Sequence, residues 1–217
     1  MKVYLEVTKR RTFAVALDWP GWARSGKTED DALDALLAYG GRYKSSMGAA
    51  AADLKVPASS NGLTITERLT GNATTEFGAP GVVPDSDRAT ASDKELAALV
   101  DVLKASWRAF DRAVKKVEGK ELAPSGPRGG GRALAKIVAH VAGAEAGYTG
   151  ALGGQARETD AWTDIQAAFL EGLRARNAGE LPERGPRGGE RWPARFAVRR
   201  SAWHALDHAW EIEDRAD

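Results

Sequence analysis

The chain has 217 residues, with 31 Lys and Arg against 30 Asp and Glu. At 43% hydrophobic and 28% charged it is composed like a globular protein, not a disordered tail. It contains no cysteine, which excludes disulfides, thiolate metal ligands and a cysteine nucleophile, and its net charge of +1 gives no overall pull towards nucleic acid or an anionic membrane. No apolar run approaches the ~18 residues of a membrane helix. The N-terminal stretch MKVYLEVTKRR meets Glu6 before an apolar signal core can form. The expectation is a cytoplasmic protein without nucleic-acid or membrane partners, a homodimer being left open.

Val3, Leu5 and Val7 alternate with Tyr4, Glu6 and Thr8, and Phe13, Val15 and Leu17 alternate again after Lys9, Arg10 and Arg11. A period of two predicts a hairpin of two strands, each with one buried face. Trp19, Pro20, Gly21 and Trp22 break the pattern. Thr28 is a candidate helix N-cap, with Glu29, Asp30 and Asp31 in the first turn. Leu33, Leu36 and Leu37 follow at helical spacing. Gly40 and Gly41 end that helix, or it runs on through Tyr43 and Met47. Leu63, Ile65 and Glu67 suggest a further strand, and residues 75–77 a weaker one. Residues 78–91, with Pro80, Pro84 and several Gly, Asp and Ser, read as a linker.

From Ser92 the period changes to 3.6. Ser92 and Glu95 form a capping box, and Leu96, Leu99, Leu103, Trp107, Phe110 and Val114 trace one helix face. A second helix begins near Ala133, a third holds Trp162, Ile165, Phe169 and Leu173, and a fourth runs from about Ala194 almost to the end. Four amphipathic helices of this length can close one core as a bundle. The fold class is therefore α+β: a β/α unit over 1–77, a linker over 78–91 and a four-helix bundle over 92–217. One segment recurs: ELAPSGPRGGGR (121–132) is echoed by ELPERGPRGGER (180–191). It is a favoured loop composition, or a pair of basic loops for an anionic ligand.

Residues 21–28 fit the phosphate-loop pattern G-x-x-x-x-G-K-[ST]. Asp18, Trp19 and Pro20 separate them from the preceding strand, Glu29, Asp30 and Asp31 would compete with phosphate for the helix N-terminus, and no alternation of strands and helices follows. Nucleotide binding is not expected. FAVALDWPGWARSGKTEDDALDAL (13–36) instead resembles the strand, turn and acidic-capped helix of HicB-like domains, a likeness over about residues 3–70 that implies a fold and not a function.

The three histidines carry the chemistry. His204 and His208 lie one turn apart on the last helix, and His140 lies near the middle of the second. Three neutral nitrogen donors facing one bundle interior suit a divalent metal with open positions for water or substrate. Zinc fits such a site, and nickel, iron and manganese are alternatives. Glu145 is a candidate buried acid or base, or a partly exposed charge. Tyr148 is a candidate donor to a substrate oxyanion, or a core residue. Arg200 is a candidate for binding a substrate carboxylate, or for a surface salt bridge. Asp207 either orients a ligand or pairs with Arg199 or Arg200, and Trp107, Trp162, Trp203 and Trp210 read as core.

LAKIVAHVAGAEAGYTGAL (134–152) and RRSAWHALDHAWEIEDR (199–215) resemble the DinB-like four-helix metalloproteins over about residues 92–215. The resemblance implies His140, His204 and His208 as metal ligands and an up-down-down-up bundle. It also implies a small-molecule substrate, with a low-molecular-weight thiol as co-substrate for an S-transferase or isomerase, or water as the nucleophile of a hydrolase-like enzyme. A second reading is a bundle that keeps the metal residues without catalysis, its N-terminal unit binding a partner protein.

Overall fold

A computed structural model describes residues 1–126 and 131–216. The early alternation becomes the expected hairpin. β1 (Lys2–Val7) and β2 (Thr12–Ala16) pair antiparallel, with Val3 opposite Ala16 and Val7 opposite Thr12. β3 (Ala23–Gly26) adds antiparallel to β2 and β4 (Thr64–Thr70) adds parallel to β1, giving the order β3-β2-β1-β4. Both central strands are buried on both faces, not one. Val3, Leu5 and Ala14 pack towards α1 (Glu29–Ala38), while Tyr4, Phe13 and Val15 pack against Trp203. The second face is closed by a distant helix, which local periodicity does not reveal.

The phosphate-loop letters acquire a structural explanation. Residues 23–26 are β3, hydrogen-bonded to β2 with Gly26 opposite Thr12, so their backbone is committed to the sheet. Thr28 caps α1: its hydroxyl accepts from the Asp31 amide and the Asp31 carboxylate accepts from the Thr28 amide, both at 3.1 Å. The helix stops at Ala38, and a separate α2 (Gly40–Met47) follows. Gly21, at φ 90°, sits on Ala202; a Cβ there would lie 2.9 Å from the Ala202 Cβ.

Residues 75–77, read as a weak strand, belong instead to a short helix, α3 (Ala73–Phe77). Asn72 accepts from the amides of Thr74 and Thr75, and the Thr75 hydroxyl accepts from the Asn72 amide. This reciprocal cap outweighs the strand propensity of two threonines. The segment 78–91 is held on both sides. Buried Glu6 accepts from the amides of Gly81 and Val82 and from the Thr75 hydroxyl. Asp87 takes a fork of two 2.8 Å hydrogen bonds from Arg199. Asn177 clasps the Ala91 backbone in both directions.

Four long helices follow: α4 (Asp93–Lys116), α5 (Leu134–Leu152), α6 (Trp162–Asn177) and α7 (Ala194–Asp214). The Ser92–Glu95 capping box is present at the head of α4. Their directions follow from which ends meet. Arg176 at the end of α6 donates to the Leu152 carbonyl at the end of α5, so these two run parallel. Trp162 at the start of α6 donates to Asp111 near the end of α4, while Asn177 meets Ala91, so α4 opposes both. Ser201 meets Glu145 and Arg215 reaches the Arg132 carbonyl, so α7 opposes α5. The order is up, down, down, up.

α4 and α7 are shared between two apolar clusters. Leu103, Phe110, Ala205 and Ile212 face α5 and α6, whereas Val102, Leu206 and Trp210 face α1, α2 and the sheet. Alanines at 197, 202, 205 and 209 let α7 be covered nearly all round. No helix among the described residues is long and apolar enough to cross a membrane.

Candidate metal centre

The antiparallel contact of α5 and α7 brings the histidines together. Nε2 of His140 lies 3.2 Å from Nε2 of His204. The ring centroids are 5.0 Å apart for His140 with either partner and 4.6 Å for His204 with His208. One donor atom from each lies within 4.8 Å of the other two, close enough to bind a metal ion. Two nitrogens at ~2.0–2.1 Å from one tetrahedral metal are about 3.3 Å apart, so the 3.2 Å pair already has a chelating separation.

His204 and His208 are buried while His140 is exposed, so the cluster opens to solvent on the α5 side. Burial pushes the His140 and His204 imidazoles below the ordinary histidine range, and the neighbouring His208, Arg132 and Arg200 add to the effect. Both shifts favour the neutral imidazole, the form a metal requires. His208 Nδ1 lies 2.8 Å from a carboxylate oxygen of Glu211. With the proton on Nδ1, donated to Glu211, Nε2 is left as the free donor. Arg215 holds the other oxygen of Glu211 at 3.1 Å and is itself anchored on the carbonyls of Ala123 and Arg132. The His208 hydrogen bond, helped by Arg215, keeps the Glu211 carboxyl below its usual range. The sequence reading missed Glu211, though its signal, three residues past His208 on one helix face, was available. Nδ1 of His204 has no such support among the described residues.

The other candidates divide. Glu145 is fully buried; Ser201 donates to its Oε1 at 2.6 Å, and burial pushes its carboxyl up to about 8, against the lowering effect of Ser201 and of the nearby Trp107. The Tyr148 ring stands 5.7 Å from His204 and 5.2 Å from Trp192. Arg200 lies over the rings of Tyr148 and Trp203 and forms no ion pair among the described residues. Asp207 pairs with neither Arg199 nor Arg200 but with Arg24 of β3, at 2.8 Å. Arg199 is committed to Asp87 and to the carbonyls of Ala16 and Leu17.

The echoed loops lie at opposite ends of α7. In the first copy, residues 127–130 lie outside the described residues. The second borders a cleft of about 600 Å³ lined by Arg88, Arg176, Arg184 and Arg191. The histidines do not line this cleft. Arg176 and Arg191 donate to the carbonyls of Leu152 and Gly150, so both cap the C-terminus of α5.

Comparison with family models, with curated proteins and with solved structures gave no match. The resemblances noted above therefore rest on the quoted residues.

Proposed function

We propose that the chain is a metal-dependent enzyme of the DinB-like type, acting on small molecules with a low-molecular-weight thiol as co-substrate. The observation that carries this reading is the cluster of His140, His204 and His208, with one face open to solvent. The up-down-down-up order of α4 to α7 and the Glu211 carboxylate behind His208 support it. The three histidines would hold the metal, with zinc the best match to nitrogen donors and nickel, iron and manganese as alternatives. Such a metal supplies positive charge that lowers the pKa of a bound thiol or water. With no cysteine in the chain, the thiol is external.

The chain's own residues have separate roles. Tyr148 stands beside His204, with ring centroids 5.7 Å apart, and its hydroxyl would donate to a substrate oxygen. Ser201 and Glu145 tie α7 to α5 beneath the cluster, fixing the relative height of the two histidine-bearing helices. Metal analysis of untagged protein, with melting curves before and after zinc addition, tests the reading. Near-stoichiometric metal and a raised melting temperature are expected. A metal-free protein whose melting temperature zinc does not change overturns it. Thiol consumption with small electrophiles, lost in His204→Ala, tests the catalytic part.

A further inference from the structure

We infer that Arg200 forms a subsite for the carboxylate of a small-molecule ligand beside the histidine cluster, an assignment that rests on the metal reading above. Arg200 lies one turn before His204 on α7. Its Cζ is 5.4 Å from the Tyr148 ring centroid and 4.8 Å from that of Trp203. Those rings are in turn 5.7 and 6.3 Å from the His204 ring. The guanidinium, the phenol and the imidazole thus border one patch.

Among the described residues the cation there has no counter-charge paired with it. Nη1 of Arg200 is buried and has no hydrogen-bond partner, and no carboxylate forms an ion pair with it among the described residues. Glu6 feels its charge, yet the Glu6 oxygens are taken by Thr75, Gly81 and Val82. Among the described residues, the other arginines that hold α7 to the sheet or loops have acidic partners: Arg24 has Asp207, Arg42 has Glu213 and Asp214, Arg195 has Glu95, Arg199 has Asp87 and Arg215 has Glu211. A buried guanidinium donor without an acceptor is costly, and a ligand that supplies the acceptor recovers that cost on binding. A guanidinium can meet a planar carboxylate edge to edge with two parallel hydrogen bonds, which makes a carboxylate the matching group. Aromatic walls also disfavour a more heavily hydrated dianion. A ligand spanning the subsite and the histidines carries a carboxylate at one end and a metal-binding group at the other.

The test uses the cobalt-loaded full chain, whose thiolate-to-cobalt absorption reports binding directly. Mercaptoacetate, 3-mercaptopropionate and 4-mercaptobutyrate are titrated against 2-mercaptoethanol, which lacks the carboxylate. At least one acid should bind about tenfold or more tighter than 2-mercaptoethanol, as a charge-assisted hydrogen-bonded pair implies. Arg200→Gln should abolish that preference while leaving 2-mercaptoethanol binding unchanged, and Arg200→Lys should keep part of it. No preference in the wild type, or one that survives in Arg200→Gln, overturns the subsite and leaves the metal reading standing. If no cobalt spectrum develops, the metal reading falls. The subsite is then decided by propionate and the tryptophan fluorescence of the metal-free protein. A change lost in Arg200→Gln supports it, and none in the wild type overturns it.

Discussion

Nε2 of His140 and Nε2 of His204 face each other across 3.2 Å, although 64 residues separate them in the chain. Two neutral imidazoles at that distance share either one proton or one cation. Removing either ring should cost at least as much metal affinity as removing a supporting group, which is typically about 10–100-fold. In His204→Ala the bound metal should fall to about a tenth or less, with the helical circular dichroism retained, because the bundle core does not depend on this ring. Full occupancy in the mutant refutes the ligand assignment.

Glu211→Gln tests the support behind His208. The amide cannot take the Nδ1 proton as strongly as a carboxylate, and Arg215 loses its ion pair. Zinc affinity, measured by competition with a chromogenic chelator, should drop roughly 10–100-fold without loss of the fold. An unchanged affinity means the Glu211 contact is structural only.

Glu145 sets a pH dependence. Its carboxyl is pushed up to about 8 by burial, above its unfolded value near 4.5. The protonated form therefore suits the fold: its stabilising contribution is complete below about pH 4.5 and is lost as pH rises through about 8. For a fully buried group the loss is on the order of a few kcal/mol. Glu145→Gln keeps the shape without the charge. The difference in unfolding free energy between mutant and wild type should move in the mutant's favour from pH 5 to 9. A pH-independent difference contradicts the assignment.

Asp87→Ala should leave Arg199 buried and uncompensated, which typically costs about 3–5 kcal/mol. Arg199 is nearly inaccessible, and the nearby carboxylate holds its guanidinium pKa above the usual range. Limited proteolysis should spare residues 78–91 in the wild type and cut there in the mutant. Early cutting of the wild type in this segment shows that its bonds to Glu6 and Arg199 are not maintained in solution.

Thr28→Ala should cost about 1 kcal/mol through the lost cap of α1. For a chain of this size that is about 2–4 °C in melting temperature. Lys27→Ala should change little, and calorimetric titration with Mg-ATP should show no binding to the wild type. Micromolar binding abolished by Lys27→Ala would reopen the phosphate-loop reading.

What could be read in the sequence was local. The helix cap at Thr28, the capping box at Ser92, the hairpin, and the one-turn spacing of His204 and His208 depend on nearby residues. That His140 joins them depends on the relative height of two antiparallel helices. Periodicity places His140 on a face but not at a level, so the sequence offered the trio as an expectation and the fold supplied the distances. The partner of Asp207 was out of reach, because Arg24 is 183 residues away and two closer arginines were the natural candidates. β3 was missed because four residues of mixed polarity show no alternation. The second buried face of the hairpin was missed because it is made by Trp203 from the far end of the chain.

α7 belongs at once to the sheet, to the bundle and to the histidine cluster. Any free energy gained when His204 and His208 take up a metal is therefore conferred on a helix that also carries Trp203, Arg199 and Trp210 against the N-terminal layer. At a free metal concentration 100 times the dissociation constant, the folded state gains about 2.7 kcal/mol. Amides in β1 and β2 should share in that gain and exchange with solvent more slowly in the loaded protein. By the same reciprocity, loosening the sheet by trimming Phe13 or Trp203 should weaken metal retention at a centre that neither residue touches through a ligand bond.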